Sequence, residues 1–174
     1  MIGLPAPDPP PRTPRAGAEK DLLCAQLDDK RTIMLRKVAG LSEEDLRRTP
    51  TASSLSLLGL LKHSAYAHRW WFRRVFAGED LDFSWAEEDQ DPDLDFRPEP
   101  DETAEGIAAV YRDEVERSRT IVAAASLDTA ARAPRPGEEE TTLRGIMLHM
   151  IQETSRHLGH ADIIRETIDG STGD

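Results

Sequence analysis

The sequence predicts an all-α domain, a four-helix bundle with a long acidic crossover loop between its second and third helices. Two observations carry the prediction. Four long stretches place apolar residues at helix-like intervals, and no stretch shows the strict alternation of a half-buried strand. The connection after the second stretch is long and proline-bearing, as an up-down bundle with one crossover requires. With 174 residues and 38% hydrophobic content the chain can bury one substantial core.

Residues 1–17 hold six prolines, Pro5, Pro7, Pro9, Pro10, Pro11 and Pro14, and read as a disordered, extended tail or a proline-rich ligand for a partner. The bundle is expected over residues 18–170, with residues 171–174 a flexible C-terminus. The first helix spans residues 19–38 on Leu22, Leu23, Leu27, Ile33, Met34 and Val38, and Gly40 stops it. A short capped turn follows at residues 41–46. The second helix is expected to start at a Ser53 or Ser54 cap and run to Ala77, with Gly78 closing it. Phe83, Trp85 and Phe96 are expected to pin the crossover onto the bundle. The third helix covers residues 102–125, and the fourth runs from a Thr141 or Thr142 cap to Asp169 before Gly170.

Charge narrows the function classes. Residues 79–102 carry twelve acids against one base, Arg97, which accounts for the whole net charge of −11. Elsewhere acids and bases balance, so there is no basic stripe for nucleic acid and no attraction to an anionic membrane surface. The acidic segment itself reads as a solvated surface. No run of about 18 apolar residues could span a bilayer. Cys24 is the only cysteine, which excludes an internal disulfide and fits a reducing compartment. Without the n- and h-regions of a secretory signal, the expected location is cytoplasmic.

Chemistry concentrates in residues 149–160, where three histidines and a glutamate fall within one helix. At about 100° per residue, Glu153 lies about 40° and His160 about 60° from His157, on an arc shared with Ile146, Met150, Ala161 and Ile164. Polar groups therefore point toward the core, where an unpartnered imidazole or carboxylate costs several kcal/mol. A divalent cation would supply the partner. On the second helix, His63 has Gly59 one turn before and Ala67 one turn after, with Ser56 and Tyr66 nearby, and small neighbours would leave a recess above it. If the two helices face each other, His63 meets the Glu153/His157 pair. Two imidazoles and a carboxylate with open positions suit zinc first, and also nickel, iron or manganese.

Other residues around this set keep two readings each. His149 is a proton carrier or solvent-facing; His160 is a fourth ligand, a proton carrier or a support for Glu153. His68 reads as structural or interfacial. The pocket is expected to be lined by Ser56, Gly59, Tyr66, Ala67, Trp70 and Met150, with Arg74 nearby. Cys24 reads as a small core residue.

Two segments, 57–63 with Arg69-Trp70-Trp71-Phe72, and 149–162 with its His-Leu-Gly-His-Ala-Asp run, resemble the DinB-like superfamily, in particular its actinobacterial branch. The resemblance covers residues 19–170. It implies His63, Glu153 and His157 as metal ligands and often a homodimer. Many DinB-like proteins use three histidines; here Glu153 replaces one of them. The resulting His/Glu/His set is similar to that of mycothiol-dependent maleylpyruvate isomerases. That similarity implies a low-molecular-weight thiol cofactor and S-transfer or isomerisation of a small-molecule substrate. The competing expectations are a metal-dependent hydrolase, a non-enzymatic or dimeric bundle whose polar cluster is structural, and an adaptor built on the tail and acidic loop.

Overall fold

The computed structural model describes residues 3–83, 93–134 and 140–173. The amphipathic stretches wind into α1 (Glu19–Val38), α2 (Glu43–Arg47), α3 (Leu57–His68), α4 (Ala104–Ala123) and α5 (Leu143–Asp169). α1 packs chiefly on α5, and α3 chiefly on α4. Among the described residues the only β pairing is an isolated antiparallel bridge between Ala130 and Thr142. The core has two lobes. Met34, Leu58, Leu61, Tyr111 and Ile164 pack in one, and Leu27, Phe72, Val75, Met147 and Met150 in the other.

Side-chain caps set the helix starts. Ser56, Thr103 and Thr142 each accept a bond from the backbone N–H three residues on, satisfying a donor that the first turn leaves free. The α3 cap is thus Ser56, two to three residues later than expected. Its hydroxyl accepts from Gly59 N–H at 3.0 Å, and Ser56 is not among the residues lining the recess at His63. At the other end α5 closes on Gly170, at φ 79°, a left-handed conformation that a side chain would strain.

The expected second helix is not uniform. After His68 it continues as a π-helix over Arg69–Phe76, ending with Ala77 N–H donating to Phe72 O at 3.0 Å. Bonding five residues back puts more residues in each turn, so each residue rotates less than in an α-helix. Arg69 and Arg73 both reach the buried Glu114 of α4 from this segment, at 2.6 and 2.9 Å.

Two expected surface segments are tied down. The N-terminal tail is extended but docked: Leu4 is buried in the first lobe, and its carbonyl accepts from Gly40 N–H at 2.9 Å. Arg36 bonds the Pro7 carbonyl at 3.1 Å. A single leucine among prolines is enough of an anchor, because the proline tract has little conformational freedom to lose. Residues 171–173 are also described, and Lys37 Nζ donates to the Gly173 carbonyl. In the crossover, Phe83 is buried against Trp70 and Tyr66, and residues Leu94–Phe96 form a 3-10 turn that packs on α3. Trp85 lies outside the described residues.

Candidate functional site

α3 and α5 bring His63, Glu153 and His157 together, with one potential ligand atom from each within 4.8 Å of the others. His63 Nε2 lies 3.0 Å from Glu153 Oε1, and His157 Nε2 lies 3.9 Å from the same oxygen. Ligand atoms about 2 Å from a tetrahedral zinc sit about 3.3 Å apart, between those two separations. At 3.9 Å His157 Nε2 is too far from Glu153 Oε1 for a hydrogen bond and stays open to a cation, while the buried Nδ1 on the other side of the ring, which a cation at Nε2 would not reach, has no hydrogen-bond partner among the described residues.

Charge around His63 is one-sided. Its Nδ1–H donates to Asp95 Oδ2 at 2.8 Å and its Nε2–H to Glu153 Oε1 at 3.0 Å. Carboxylates only accept, so both ring nitrogens carry protons when no metal is present. Burial pushes His63 down, but the two bonded carboxylates override it and hold the imidazole at about 9. Glu153 is pushed up by burial and pulled further down by His149 and His63, so its carboxyl lies well below the usual range. His157, lowered to about 4 by burial and then by the His63 charge, is neutral. The set therefore offers a neutral imidazole, a carboxylate, and an imidazole that would have to give up its Nε2 proton to bind a cation.

The site opens into a recess of about 280 Å³ whose walls include Trp71, His149, Gln152 and Arg156. This corrects the expected lining. Gly59 provides no empty space, because the Phe96 carbonyl occupies it: a Cβ there would lie 2.1 Å from Phe96 O. Ala67 and Met150 are buried in the second core lobe. Tyr66 and Trp70 pack around Phe83. Trp71 forms the wall instead, its ring 4.5 Å from that of His149. The π winding turns it less far from the His63 face than regular α spacing predicts.

Of the expected proton carriers, His149 Nε2 lies 2.8 Å from Glu153 Oε2 and is 45% exposed. His160 is exposed beside His157, with ring centroids 5.9 Å apart, and is not part of the recess wall. Sequence reasoning missed Asp95, hidden among the twelve acids of the crossover, along with Trp71, Gln152 and Arg156. Only the position of Gln152 and Arg156 within a turn of Glu153 and His157 could have marked those two.

His68 is a different kind of histidine. It is fully buried, accepts from Arg31 Nε–H at 2.9 Å and donates Nδ1–H to the Ser64 carbonyl at 2.7 Å. Cys24, expected in the core, is half-buried and borders a separate groove of about 370 Å³ with Lys20, Asp28 and Arg119.

No curated protein matches this chain. Its fold is similar to the crystal structure of a conserved protein from Enterococcus faecalis, with TM-score 0.63 and 16% identity over 90% of this chain and 100% of that one. That likeness speaks to the fold alone. A family model described as mycothiol-S-transferase matches residues 22–170, nearly the whole bundle with α3, the crossover and α5, and on that match the chain belongs to the mycothiol-S-transferase family, within the DinB-like superfamily.

Proposed function

We propose that this protein is a divalent-metal-dependent transferase that joins the sulfur of a low-molecular-weight thiol of the mycothiol type to a small electrophilic substrate. The observation that carries the proposal is the convergence of His63, Glu153 and His157 within 4.8 Å at the recess, in a chain of this family. A divalent cation held by those three residues, zinc foremost, would bring the pKa of an entering thiol toward neutrality, supplying a nucleophile that the protein's own half-buried Cys24 does not.

The remaining groups divide the work. Glu153 and His157 extend from successive turns of α5, so their spacing is fixed by the helix, and α3 sets the distance to His63. His149 stands at the mouth, in contact with Glu153 and with solvent, where it can take up the proton that the entering thiol loses before the carbon–sulfur bond forms. Arg156 places a cation on the wall suited to a carboxylate or other anionic group of the thiol or acceptor. Trp71 supplies an apolar face that orients the acceptor.

One observation favours a second reading, a structural cluster: without metal, the His63 ring is already satisfied by two carboxylates. Metal analysis of untagged protein, paired with melts in chelator and in zinc, separates the two. A cation that binds only the folded state at a hundred times its Kd stabilises by about 2.7 kcal/mol. Thiol-conjugating activity that follows metal content supports the proposal. Metal-free protein whose melt ignores both chelator and added divalent cations overturns it.

A further inference from the structure

The crossover places one of its twelve acids against the ring nitrogen of His63 that faces away from Glu153. We propose that Asp95, carried on the Leu94–Phe96 turn, is a positioning residue that fixes the His63 ring so that Nε2 faces the cation. The inference rests on the metal reading above and adds a residue from a part of the chain that supplies none of its ligands.

The geometry is built from several independent contacts. Asp95 is only 8% exposed, whereas Asp93, Glu99 and Asp101 on either side are exposed. Its Oδ2 accepts from His63 Nδ1–H at 2.8 Å, while Oδ1 is buried without a hydrogen-bond partner among the described residues. A carboxylate held in the interior by one side-chain bond is an expensive choice for packing alone, since an apolar residue would avoid the desolvation cost. The turn is also clamped on both sides of His63. The Phe96 ring stacks on the imidazole at 3.9 Å and 12°, and its carbonyl fills the space that Gly59 leaves by lacking a Cβ. Next to His63, Lys62 Nζ bonds the Arg97 carbonyl at 3.0 Å and pairs with Glu102 at 2.7 Å. Ring rotation about χ2 is therefore blocked by the stacked phenyl and by the bond at Nδ1. Only Nε2, 3.0 Å from Glu153 Oε1, is left to face a cation. A carboxylate on the far nitrogen of a ligating histidine fixes its tautomer and strengthens it as a donor, and losing such a partner weakens metal binding about 10–100-fold.

The test is zinc affinity by competition with a chromophoric chelator, for wild type, Asp95→Ala and Asp95→Asn, with cobalt(II) absorption as a second readout. Asp95→Ala should lose about 10–100-fold in zinc affinity and shift the cobalt bands. Asp95→Asn, whose side-chain oxygen still accepts from Nδ1–H, should keep the wild-type bands and recover most of the affinity. Asp95→Ala binding zinc within about twofold of wild type, or Asp95→Asn as weak as Asp95→Ala, overturns the positioning role while the metal site stands. Wild type that binds no zinc overturns both. Should the variants fail to fold, the metal-free wild type decides the contact: a slowly exchanging, low-field His63 Nδ1–H proton supports it, and a ring proton in fast exchange with solvent overturns it.

Discussion

His63 and His68 stand five residues apart on α3, both largely removed from water, yet their surroundings drive them in opposite directions. His63 lies between two carboxylates, is held at about 9, and faces a recess. His68 is lowered to about 3, by complete burial and then by the Arg31 cation, and its ring bonds Arg31 and the Ser64 carbonyl. One accepts from an arginine and donates to a backbone carbonyl, a satisfied neutral ring. The other donates twice to acids, a pattern that a divalent cation can replace. Burial does not separate the proposed ligand from the structural histidine here; the sign of the neighbouring charge does.

The largest expected effect is on metal content. His63→Ala should reduce bound zinc by at least about 100-fold, because only the two proposed ligands of α5 remain and neither can supply the third position. Elemental analysis of the purified variant beside wild type measures it, and full retention of metal would break the assignment. The matching substitution on the other histidine should do the reverse. His68→Leu removes the acceptor for Arg31 Nε–H inside the core, and a buried hydrogen bond to a charged group is worth about 1.5–3 kcal/mol. Arg31 keeps Asp28 and Ser118, so the loss should stay within that range while zinc affinity remains within about twofold of wild type. Denaturant unfolding and the chelator competition together report both numbers.

How legible this was depends on which physical rule placed each residue. His157, Glu153 and Met150 share a helix, and one periodicity orders them, so the inward arc of α5 could be drawn from the sequence. That α3 faces it was only a condition in the sequence, and the fold meets it by bringing His63 Nε2 to 3.0 Å from Glu153 Oε1. The recess walls were not legible for two reasons. The expected lining named Trp70, whereas the π segment changes the phase and brings Trp71 to the wall. Gly59 and Ala67 looked like a recess because composition does not show what fills a gap, and a backbone carbonyl from 37 residues later fills the first. Asp95 was invisible for a related reason: among many acids, one buried carboxylate has the same letter as its solvated neighbours. The tail gave a similar lesson, since six prolines predict extension but say nothing of Leu4 finding the core.

A smaller effect should follow from Gly59→Ala, whose added methyl meets Phe96 and Ser56 first. Its Cβ would meet Phe96 O at 2.1 Å, and a backbone atom cannot yield as a flexible side-chain tip can. The Leu94–Phe96 turn must lift away, carrying the Phe96 ring and Asp95 off His63 while leaving His68 untouched. Zinc affinity should fall by about 10-fold with a change in melting temperature of only a few degrees. Unchanged affinity would show that the turn rests on His63 without influencing it.

The smallest and most selective effect is on the pH dependence of the metal-free protein, where the two histidines contribute with opposite signs. His63 is raised in the folded state, so its contribution is fully present below about 6.5 and is lost as pH rises through about 9. His68 is lowered, so its contribution is present above about 6.5 and is lost as pH falls toward 3. The acid side is shared: His157, lowered to about 4, and Glu153, held below its usual range, also lose stability there. The decline in melting temperature between pH 6.5 and 9 should therefore flatten in His63→Gln but persist in His68→Gln. Below pH 5, His68→Gln should soften the decline only in part, because His157 and Glu153 still titrate. Differential scanning calorimetry in chelator across pH 3.5–9.5 resolves both arms, and an alkaline decline that survives His63→Gln would mean the two carboxylates do not hold that ring protonated.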